Sequence, residues 1–400
     1  MLLETPRRLE PTAIDAIPGA LADRIADLIA AATKLDHALP SETARSLADV
    51  VRVMNCYYSN LIEGHNTRLK EIEAALDDAF DEDAKRRSLQ VEARAHIRVQ
   101  AHIDEIYARG TLPEPASVGL LCDLHRRFYD GASEEMLRIG EGKRAFQMTP
   151  GVFREHPHQD NLVGRHQPPS SERVAAFMGF FEERFRLAPL GTSARVIAIA
   201  IAHHRLNYIH PFDDGNGRVS RLMSHAMGLV AGIGAHGLWS ISRGLARGLS
   251  DRGEYKRMMD LADTPRQGDL DGRGNLSQKA LIAFVEWFID VALDQIRFMT
   301  KLFDLEGLGA RYERYIGTQT DLREEALPVI IDILKRGPLA RGEVGRVAGL
   351  QDRTARTLTR ALLDAGLVGS ATEKSALTLR FPRAAIPTLF PDLYTAQALT

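Results

Sequence analysis

The sequence predicts a mainly α-helical protein, because apolar residues recur at helical spacing through most of the chain. Three turn-rich segments, 112–115, 148–171 and 263–275, interrupt this pattern with prolines, glycines and polar residues. With 400 residues, 44% of them apolar, the chain is long enough for two or three domains with buried cores. Examples of the helical spacing are Leu21, Ile25 and Ile29, and later Phe284, Trp287, Phe288 and Val291.

Composition argues against several other classes of protein. Two cysteines, Cys56 and Cys122, are too few for a disulfide framework or a cysteine-rich zinc site, and are expected as small apolar side chains in a reducing cytoplasm. No secretory signal is visible, and the longest apolar runs, 196–202 and 227–233, are far shorter than the roughly 20 residues that span a bilayer. A net charge of -2 does not favour a general nucleic-acid binder. We therefore expect a cytoplasmic protein with no membrane partner.

The segment 210–221 concentrates chemically useful side chains, reading His-Pro-Phe-Asp-Asp-Gly-Asn-Gly-Arg-Val-Ser-Arg. Pro211 ends a preceding helix, and residues 215–217 form a tight turn before a new apolar-periodic run from Val219. The segment therefore predicts a helix, a loop and a second helix.

This loop has the groups needed to bind a nucleotide triphosphate. Backbone N–H groups of residues 215–217, at a helix N-terminus, suit phosphate oxygens. Arg218 and Arg221 are three residues apart, so both guanidinium groups can point towards the same anion. Asp214 can hold Mg²⁺ between phosphates, and His210, with an ordinary pKa near ~6.5, can accept a proton from an attacking hydroxyl.

The segment also has simpler interpretations. An Asp-Gly-Asn-Gly run is most often only a turn, and an Asp-rich glycine loop can also bind Ca²⁺. The EF-hand pattern fails, because it needs acidic or amide side chains at alternate positions and a final Glu. A Walker phosphate loop is absent from the sequence as well.

The segment resembles the motif H-x-F-x-[D/E]-G-N-G-R-x-x-R of Fic-domain proteins, and every specified position matches. The resemblance implies a Fic-type helical core, with Mg²⁺ as cofactor and ATP as co-substrate. It also implies transfer of AMP to a Ser, Thr or Tyr hydroxyl of a target protein, or of the protein itself, with release of pyrophosphate. Fic-like proteins often form homodimers. The implied roles are His210 as the base, Asp214 as the metal ligand, Gly215, Asn216 and Gly217 as anion-hole donors, Arg218 and Arg221 as clamps on the β- and γ-phosphates, and Phe212 as a hydrophobic anchor.

A short apolar run, 161–166, lies within the second turn-rich segment and ends at Pro168-Pro169. It is compatible with an edge hairpin or with a plain surface loop. The resemblance to Fic proteins implies a β-hairpin flap here, which borders the adenine pocket and registers the target segment as an added strand. The implied flap residues are Leu162, Val163, Gly164, Arg165 and His166.

A second motif, S-x-x-x-E-G, occurs at Ser59, Glu63 and Gly64, in a segment whose apolar spacing predicts a helix closed by the glycine. By itself the pattern is weak, since a lone helical Glu usually caps a helix or forms a surface ion pair. It resembles the inhibitory helix of Fic proteins that carry this element before the core. The resemblance implies that Glu63 pairs with Arg221 and excludes the γ-phosphate, and a bidentate Arg–carboxylate pair is strong enough to do so.

Three further residues near the motif have open roles. His203 and His204 do not form a metal-binding pattern with His210, so we expect them to be packing or helix-surface residues. Tyr255 either lines the adenine pocket, as an aromatic residue does in similar proteins, or is a buried core tyrosine.

The C-terminal region changes pattern from Leu327. A helix ending at Gly337, a short helix 342–347, a longer helix 353–363 and two β-prone runs, 366–368 and 376–381, follow in the order of a winged helix-turn-helix. Residues 335–383 hold ten basic and four acidic residues, and Arg353, Arg356 and Arg360 lie on one side of the third helix. DNA binding, protein docking and a solvated charged face all remain open.

These patterns predict a helical region with the inhibitory helix at 1–110, a Fic core at 111–310 and a winged-helix-like domain at 311–400. The leading hypothesis is an autoinhibited protein adenylyltransferase. One alternative is that Glu63 positions a water, so that the same site removes AMP from a modified protein. Another is a DNA-binding regulator whose Fic core senses nucleotide.

Overall fold

The computed structural model describes residues 4–65 and 67–394, and the prediction of a mainly α-helical fold is confirmed. Two short antiparallel hairpins accompany the helices, pairing Arg138 with Gln147 and Val368 with Leu379. The strands are β1 Arg138–Ile139, β2 Phe146–Gln147, β3 Val368–Gly369 and β4 Thr378–Leu379. The α-helices are α1 Gly19–Asp36, α2 Ser41–Ile62, α3 Leu69–Leu76, α4 Ala84–Ala108, α5 Val118–Phe128, α6 Val174–Arg184, α7 Thr192–Ile209, α8 Asn216–Val230, α9 Ile241–Arg247, α10 Glu254–Ala262, α11 Gln278–Leu302, α12 Leu305–Gly317, α13 Ala326–Arg336, α14 Val344–Ala348, α15 Asp352–Asp364 and α16 Ile386–Leu389.

Two compact units divide the described chain. One unit comprises residues 4–30, 55–65, 67–234 and 240–295, and the other residues 31–54, 235–239 and 296–394. The motif 210–221, the flap segment and the S-x-x-x-E-G residues all belong to the first unit. The domain boundaries drawn from the sequence stay a prediction.

Helix α7 packs against α8 and is buried along most of its length. Its buried residues include the polar side chains of His203, His204 and Arg205. Buried residues of α4, α5 and α8 form an apolar cluster. The cluster consists of Val99, Ile103, Leu120, Leu124, Leu222, Ala226 and Leu229. The loop between α7 and α8 therefore starts from two helices that are fixed by burial.

The C-terminal part of the second unit has the predicted order of elements, with helices α13, α14 and α15 followed by the hairpin β3–β4. Leu339 and Leu377 add a backbone bridge with N–O distances of 2.9 and 2.8 Å. The side chains of Arg353, Arg356 and Arg360 are exposed on α15, whereas Leu358 and Leu362 are buried. The assignment of this C-terminal part as a winged helix stays a prediction.

None of the helices in the described part of the chain is both long and apolar enough to cross a membrane. The cytoplasmic location stays a prediction.

Candidate active site

The loop between α7 and α8 has two residues in the left-handed backbone region, and hydrogen bonds of the Asn216 side chain join its two ends. His210 caps α7 in the left-handed region (φ 52°, ψ 60°), and Gly215 precedes α8 with φ 74°. The Asn216 side chain accepts a hydrogen bond from the Phe212 N–H at 2.9 Å and donates one to the Phe212 carbonyl at 2.8 Å. The Asn216 side chain therefore fixes the loop.

The Phe212 side chain lies in an aromatic pocket. Its side chain is fully buried and stacks on the His125 ring, with centroids 4.0 Å apart and an angle of 11° between the planes. His125 Nδ1 accepts from the Gly151 N–H at 2.7 Å, so the proton lies on Nε2, which donates to the Asp214 carbonyl at 3.2 Å. The role of Phe212 as the anchor of the loop stays a prediction.

His210 lies in an environment that favours the neutral form of its imidazole. Burial, the positive charge of Arg154 and the neighbouring His166 lower the pKa of His210 to about 4, although Asp214 opposes the shift. The ordinary value used at the sequence level is therefore wrong for this side chain. The imidazole is neutral at neutral pH and able to accept a proton.

Glu63 lies directly on Arg221. The Glu63 Oε1 to Arg221 Nη2 distance is 2.6 Å, and Arg221 Nε donates to the Ser59 hydroxyl at 3.0 Å. Arg221 is buried, and these two contacts engage its Nε and Nη2 atoms. Gly64, with φ 81°, takes the left-handed conformation that ends the helix beyond Ile62.

The Glu63 carboxylate also lies over the first turn of α8. A Cβ atom added to Gly217 would stand 2.5 Å from Glu63 Oε1. Burial opposes ionisation of Glu63, but Arg221 and Arg218 outweigh it and lower the pKa of this carboxyl group. Glu63 is therefore an anion at the site that the helix N-terminus offers to a phosphate.

Arg218 has an anionic partner that the sequence did not reveal. Its Nη2 atom lies 2.9 Å from Glu92 Oε2 on α4, and its Cζ atom lies 4.9 Å from the centre of the Phe128 ring. Burial raises the pKa of Glu92, Arg218 counteracts this, and Asp214 and Glu63 raise it further. Both arginines of the motif thus contact glutamates, Arg218 with Glu92 on α4 and Arg221 with Glu63 in the turn that follows α2.

Asp214 is the motif residue expected to hold a metal, and that role stays a prediction. It is exposed, and its Oδ2 atom accepts a hydrogen bond from the Tyr129 hydroxyl at 2.7 Å. Partial desolvation by neighbouring side chains opposes its ionisation, but Arg218 and Tyr129 outweigh that effect and lower the pKa of Asp214. No group of three or more potential protein ligands for a metal occurs among the described residues. One ionised carboxylate fits Mg²⁺ that arrives with phosphate oxygens, because Mg²⁺ commonly uses one or two carboxylates together with substrate phosphates.

The flap segment forms a minimal hairpin. Val163 and His166 exchange backbone hydrogen bonds of 2.9 and 3.0 Å around Gly164, whose φ is 62°. The side chains of Leu162 and Arg165 are exposed, whereas His166 bonds to the Tyr208 carbonyl at 2.7 Å through Nε2. The hairpin is therefore present, and its role in target binding stays a prediction.

Tyr255, His203 and His204 are core residues in this structure. The Tyr255 hydroxyl lies 2.9 Å from His203 Nε2, and its ring stacks on Trp287. His203 Nδ1 bonds to Ser224, and His204 is buried against Asp263. This geometry favours packing roles for the histidines and the core alternative for Tyr255, and a role for Tyr255 at the adenine stays a prediction.

Comparison with known proteins agrees with this arrangement. Residues 115–227 match the model of the Fic/DOC family. This chain is a Fic-domain protein. The matched range contains the motif loop, the flap and Tyr129, whereas Ser59, Glu63 and Glu92 lie before it.

Two fruit-fly proteins named protein adenylyltransferase Fic are similar to parts of the Fic-domain chain. The Drosophila erecta protein is 41% identical over 70 residues, which cover 18% of this chain and 14% of the relative. The Drosophila virilis protein is 40% identical over 178 residues, which cover 44% of this chain and 32% of the relative. This chain thus spans a third or less of the length of these relatives.

Two solved structures share the fold. A Fic family protein from Desulfovibrio desulfuricans has a TM-score of 0.50 and 16% identity, covering 92% of this chain and 98% of that one. A Fic domain containing signaling protein from Bacteroides thetaiotaomicron has a TM-score of 0.50 and 20% identity, covering 70% of this chain and 97% of that one. At such low identity, the likeness concerns the fold alone.

Sequence reasoning missed several residues that contact the Fic motif. Glu92, Tyr129 and Arg154 reach the loop from distant parts of the chain. No spacing rule connects them to it, because each contact depends on how helices pack. His125 differs from these residues because the sequence carries a signal for it. A histidine in an apolar helix face commonly makes a polar contact in the core.

Proposed function

We propose that this chain is an autoinhibited protein adenylyltransferase, which transfers AMP from ATP to a hydroxyl side chain of a target protein or of itself. The observation that carries the proposal is the contact of Glu63 with Arg221, the arginine that a triphosphate would need, on the helix α8 that follows His210. The family match and the names of the fruit-fly relatives support the same chemistry.

In the proposed reaction, a target hydroxyl oxygen attacks the α-phosphorus of ATP and its proton passes to neutral His210. The bond from the α-phosphorus to the bridging oxygen breaks, and pyrophosphate leaves. Chemistry of this kind depends on positioning and charge neutralisation. The backbone N–H groups of residues 215–217 and the Arg218 guanidinium supply donors for the phosphates.

Asp214 would hold Mg²⁺, with Tyr129 fixing the orientation of its carboxylate. When bound, the ion neutralises the charge that develops on the leaving pyrophosphate. The apolar side chains of the flap residues Leu162 and Val163 are exposed on the hairpin. They would therefore be available to contact the target chain.

Glu63 would switch the site off. It competes with the γ-phosphate for Arg221, and the two anions cannot occupy the same guanidinium edge. The wild-type protein is therefore expected to transfer AMP slowly, and Glu63→Gly to transfer it fast.

The test is incubation of Glu63→Gly with Mg²⁺ and ATP labelled at either the α- or the γ-phosphate. We expect label on protein from the α-labelled nucleotide only. Label from the γ-position would indicate a kinase reaction, and no label from either position would reject the proposal. Incubation of the wild type with its AMP-modified form tests the reverse activity, in which Glu63 positions a water.

We propose DNA binding through the C-terminal region as a second candidate function. Arg341, Arg356 and Arg360 line a cavity of about 580 Å³ beside α15, and Arg353 is exposed on the same helix. Replacing Arg356 and Arg360 with alanine should abolish a gel shift of duplex DNA. Arg336→Ala, which removes an exposed arginine of α13, is the matched control and should preserve it. A shift of the same strength in all three proteins would contradict this function.

A further inference from the structure

We propose that Arg154 is the positioning residue of this site, because it holds the backbone of His210 against the base of the flap. This inference rests on the proposed function, in which His210 is the base. It concerns how that base is kept in place.

Arg154 is buried, and its guanidinium group donates to backbone carbonyls on two segments. On the motif side, Nε donates to the His210 carbonyl at 2.7 Å and Nη2 to the Ile209 carbonyl at 3.0 Å. The Arg154 backbone N–H donates to the Pro211 carbonyl at 2.9 Å. One residue therefore binds three consecutive carbonyls around the candidate base.

On the flap side, the same guanidinium group binds the chain that follows the hairpin. Nη2 donates to the Pro169 carbonyl at 2.6 Å, and Nη1 donates to the Ser171 hydroxyl at 3.0 Å. Asp160 Oδ1 lies 3.4 Å from Nη1 and also accepts the Ser171 N–H at 2.7 Å. The two ends of the flap and the start of the motif loop are thus joined through Arg154.

The need for such a contact follows from the backbone. Helix α7 ends at Ile209, so its last carbonyls lack partners within the helix and carry its partial negative charge. His210 adopts a left-handed conformation that non-glycine residues rarely take unless surrounding structure imposes it. A buried guanidinium group meets both needs, because its donors are arranged in a fixed plane and its charge complements the helix terminus.

The planar group cannot be replaced by another cation of similar size. A lysine at 154 would keep the charge but offers a single nitrogen, which cannot reach carbonyls on both segments at once. His210 would then lose a fixed position while the phosphate-binding groups of α8 stay unchanged, because Arg154 makes no contact with Arg218 or Arg221 among the interactions described.

The first measurement does not require enzymatic activity. His210 in the full chain is modified with diethylpyrocarbonate, and the rate is followed by peptide mass mapping. We expect Arg154→Lys to raise the rate for His210 at least fivefold. The matched control is Arg205→Lys, which replaces another fully buried arginine that donates to the carbonyls of Pro11 and Ala262, away from the loop. An equal rate for His210 in both variants would overturn the proposal.

The second measurement uses AMP transfer in the Glu63→Gly background. Arg154→Lys should lower kcat about 10- to 100-fold, since misplacement of a reacting group by about 1 Å has effects of this order. The KM for ATP should stay within about twofold. A rise in KM with unchanged kcat would contradict positioning of the base.

The outcomes separate the two proposals. Faster modification of His210 in Arg154→Lys, without AMP transfer by Glu63→Gly, rejects the proposed function and keeps the role of Arg154. If Arg154→Lys does not fold, Ser171→Ala decides, because it removes a single acceptor of Arg154. That variant should raise the modification rate of His210 about twofold, and an unchanged rate would reject the role.

Discussion

Removing the Glu63 carboxylate should strengthen ATP binding, and the structure sets the size of the effect. In the folded protein, Glu63 Oε1 lies 2.6 Å from Arg221 Nη2, and the Arg221 side chain is 1% exposed. Glu63→Gly clears this contact without adding a side chain, next to a helix end that already has glycine at position 64. The variant leaves Arg221 ready for the γ-phosphate.

The magnitude follows from the contact that the nucleotide must break. A hydrogen bond to a charged group contributes about 1.5–3 kcal/mol. The Glu63 side chain is 32% exposed, so solvent screening reduces this to about 1–2 kcal/mol. Since 1.4 kcal/mol corresponds to a factor of ten, the apparent Kd for ATP should fall about 5- to 30-fold.

Isothermal titration calorimetry with ATP and Mg²⁺ measures this change, with His210→Ala added to both proteins so that no reaction occurs. The control is Glu42→Ala, which removes an exposed ion pair with Arg45 on α2, the helix that precedes Glu63, and should leave the Kd unchanged. An unchanged Kd in folded Glu63→Gly would refute the idea that this carboxylate competes with the nucleotide.

Three further predictions concern the loop. Tyr129→Phe frees the Asp214 carboxylate, so half-maximal AMP transfer by Glu63→Gly should need about tenfold more Mg²⁺, and an unchanged Mg²⁺ titration would contradict this. Because burial and Arg154 lower the pKa of His210 to about 4, the base stays neutral and kcat should not fall between pH 8 and pH 6 on its account. With an ordinary pKa near 6.5, the neutral fraction at pH 6 would be about fourfold lower, which a pH–rate profile distinguishes. Phe212→Ala should reduce the free energy of unfolding by about 3–5 kcal/mol in urea titrations, and a loss below about 1 kcal/mol would argue against its anchoring role.

The sequence predicted the local structure of the motif because the responsible residues are neighbours in the chain. Pro211 ends the preceding helix, and Gly215 takes a left-handed conformation before the next one. The spacing of Arg218 and Arg221 in a first helical turn likewise follows from helix geometry. These inferences need no tertiary contact.

The partners of the motif could not be predicted in the same way. Glu92 reaches Arg218 across 126 positions of sequence, and Tyr129 reaches Asp214 across 85. Such pairs depend on helix packing, which spacing within one helix does not encode. The expectation for Glu63 came from a family resemblance, since S-x-x-x-E-G alone also fits a surface helix.

The environment of His210 was also outside the reach of sequence reasoning. Its lowered pKa depends on burial and on the charge of Arg154, and both require the folded chain. The side chain of Asn216 shows the same limit, because the sequence assigned only its backbone N–H to an anion and did not reveal that the amide group closes the loop.

The most direct test of the account is the intact mass of the protein after incubation with ATP and Mg²⁺. Wild type, Glu63→Gly and the double variant Glu63→Gly/His210→Ala are compared, each alone and with a cell extract depleted of nucleotide. The account predicts an added AMP group on Glu63→Gly or on an extract protein, little on wild type, and none with the double variant. An AMP group in the double variant at the rate of Glu63→Gly, or no AMP group with any of the three proteins, would contradict it.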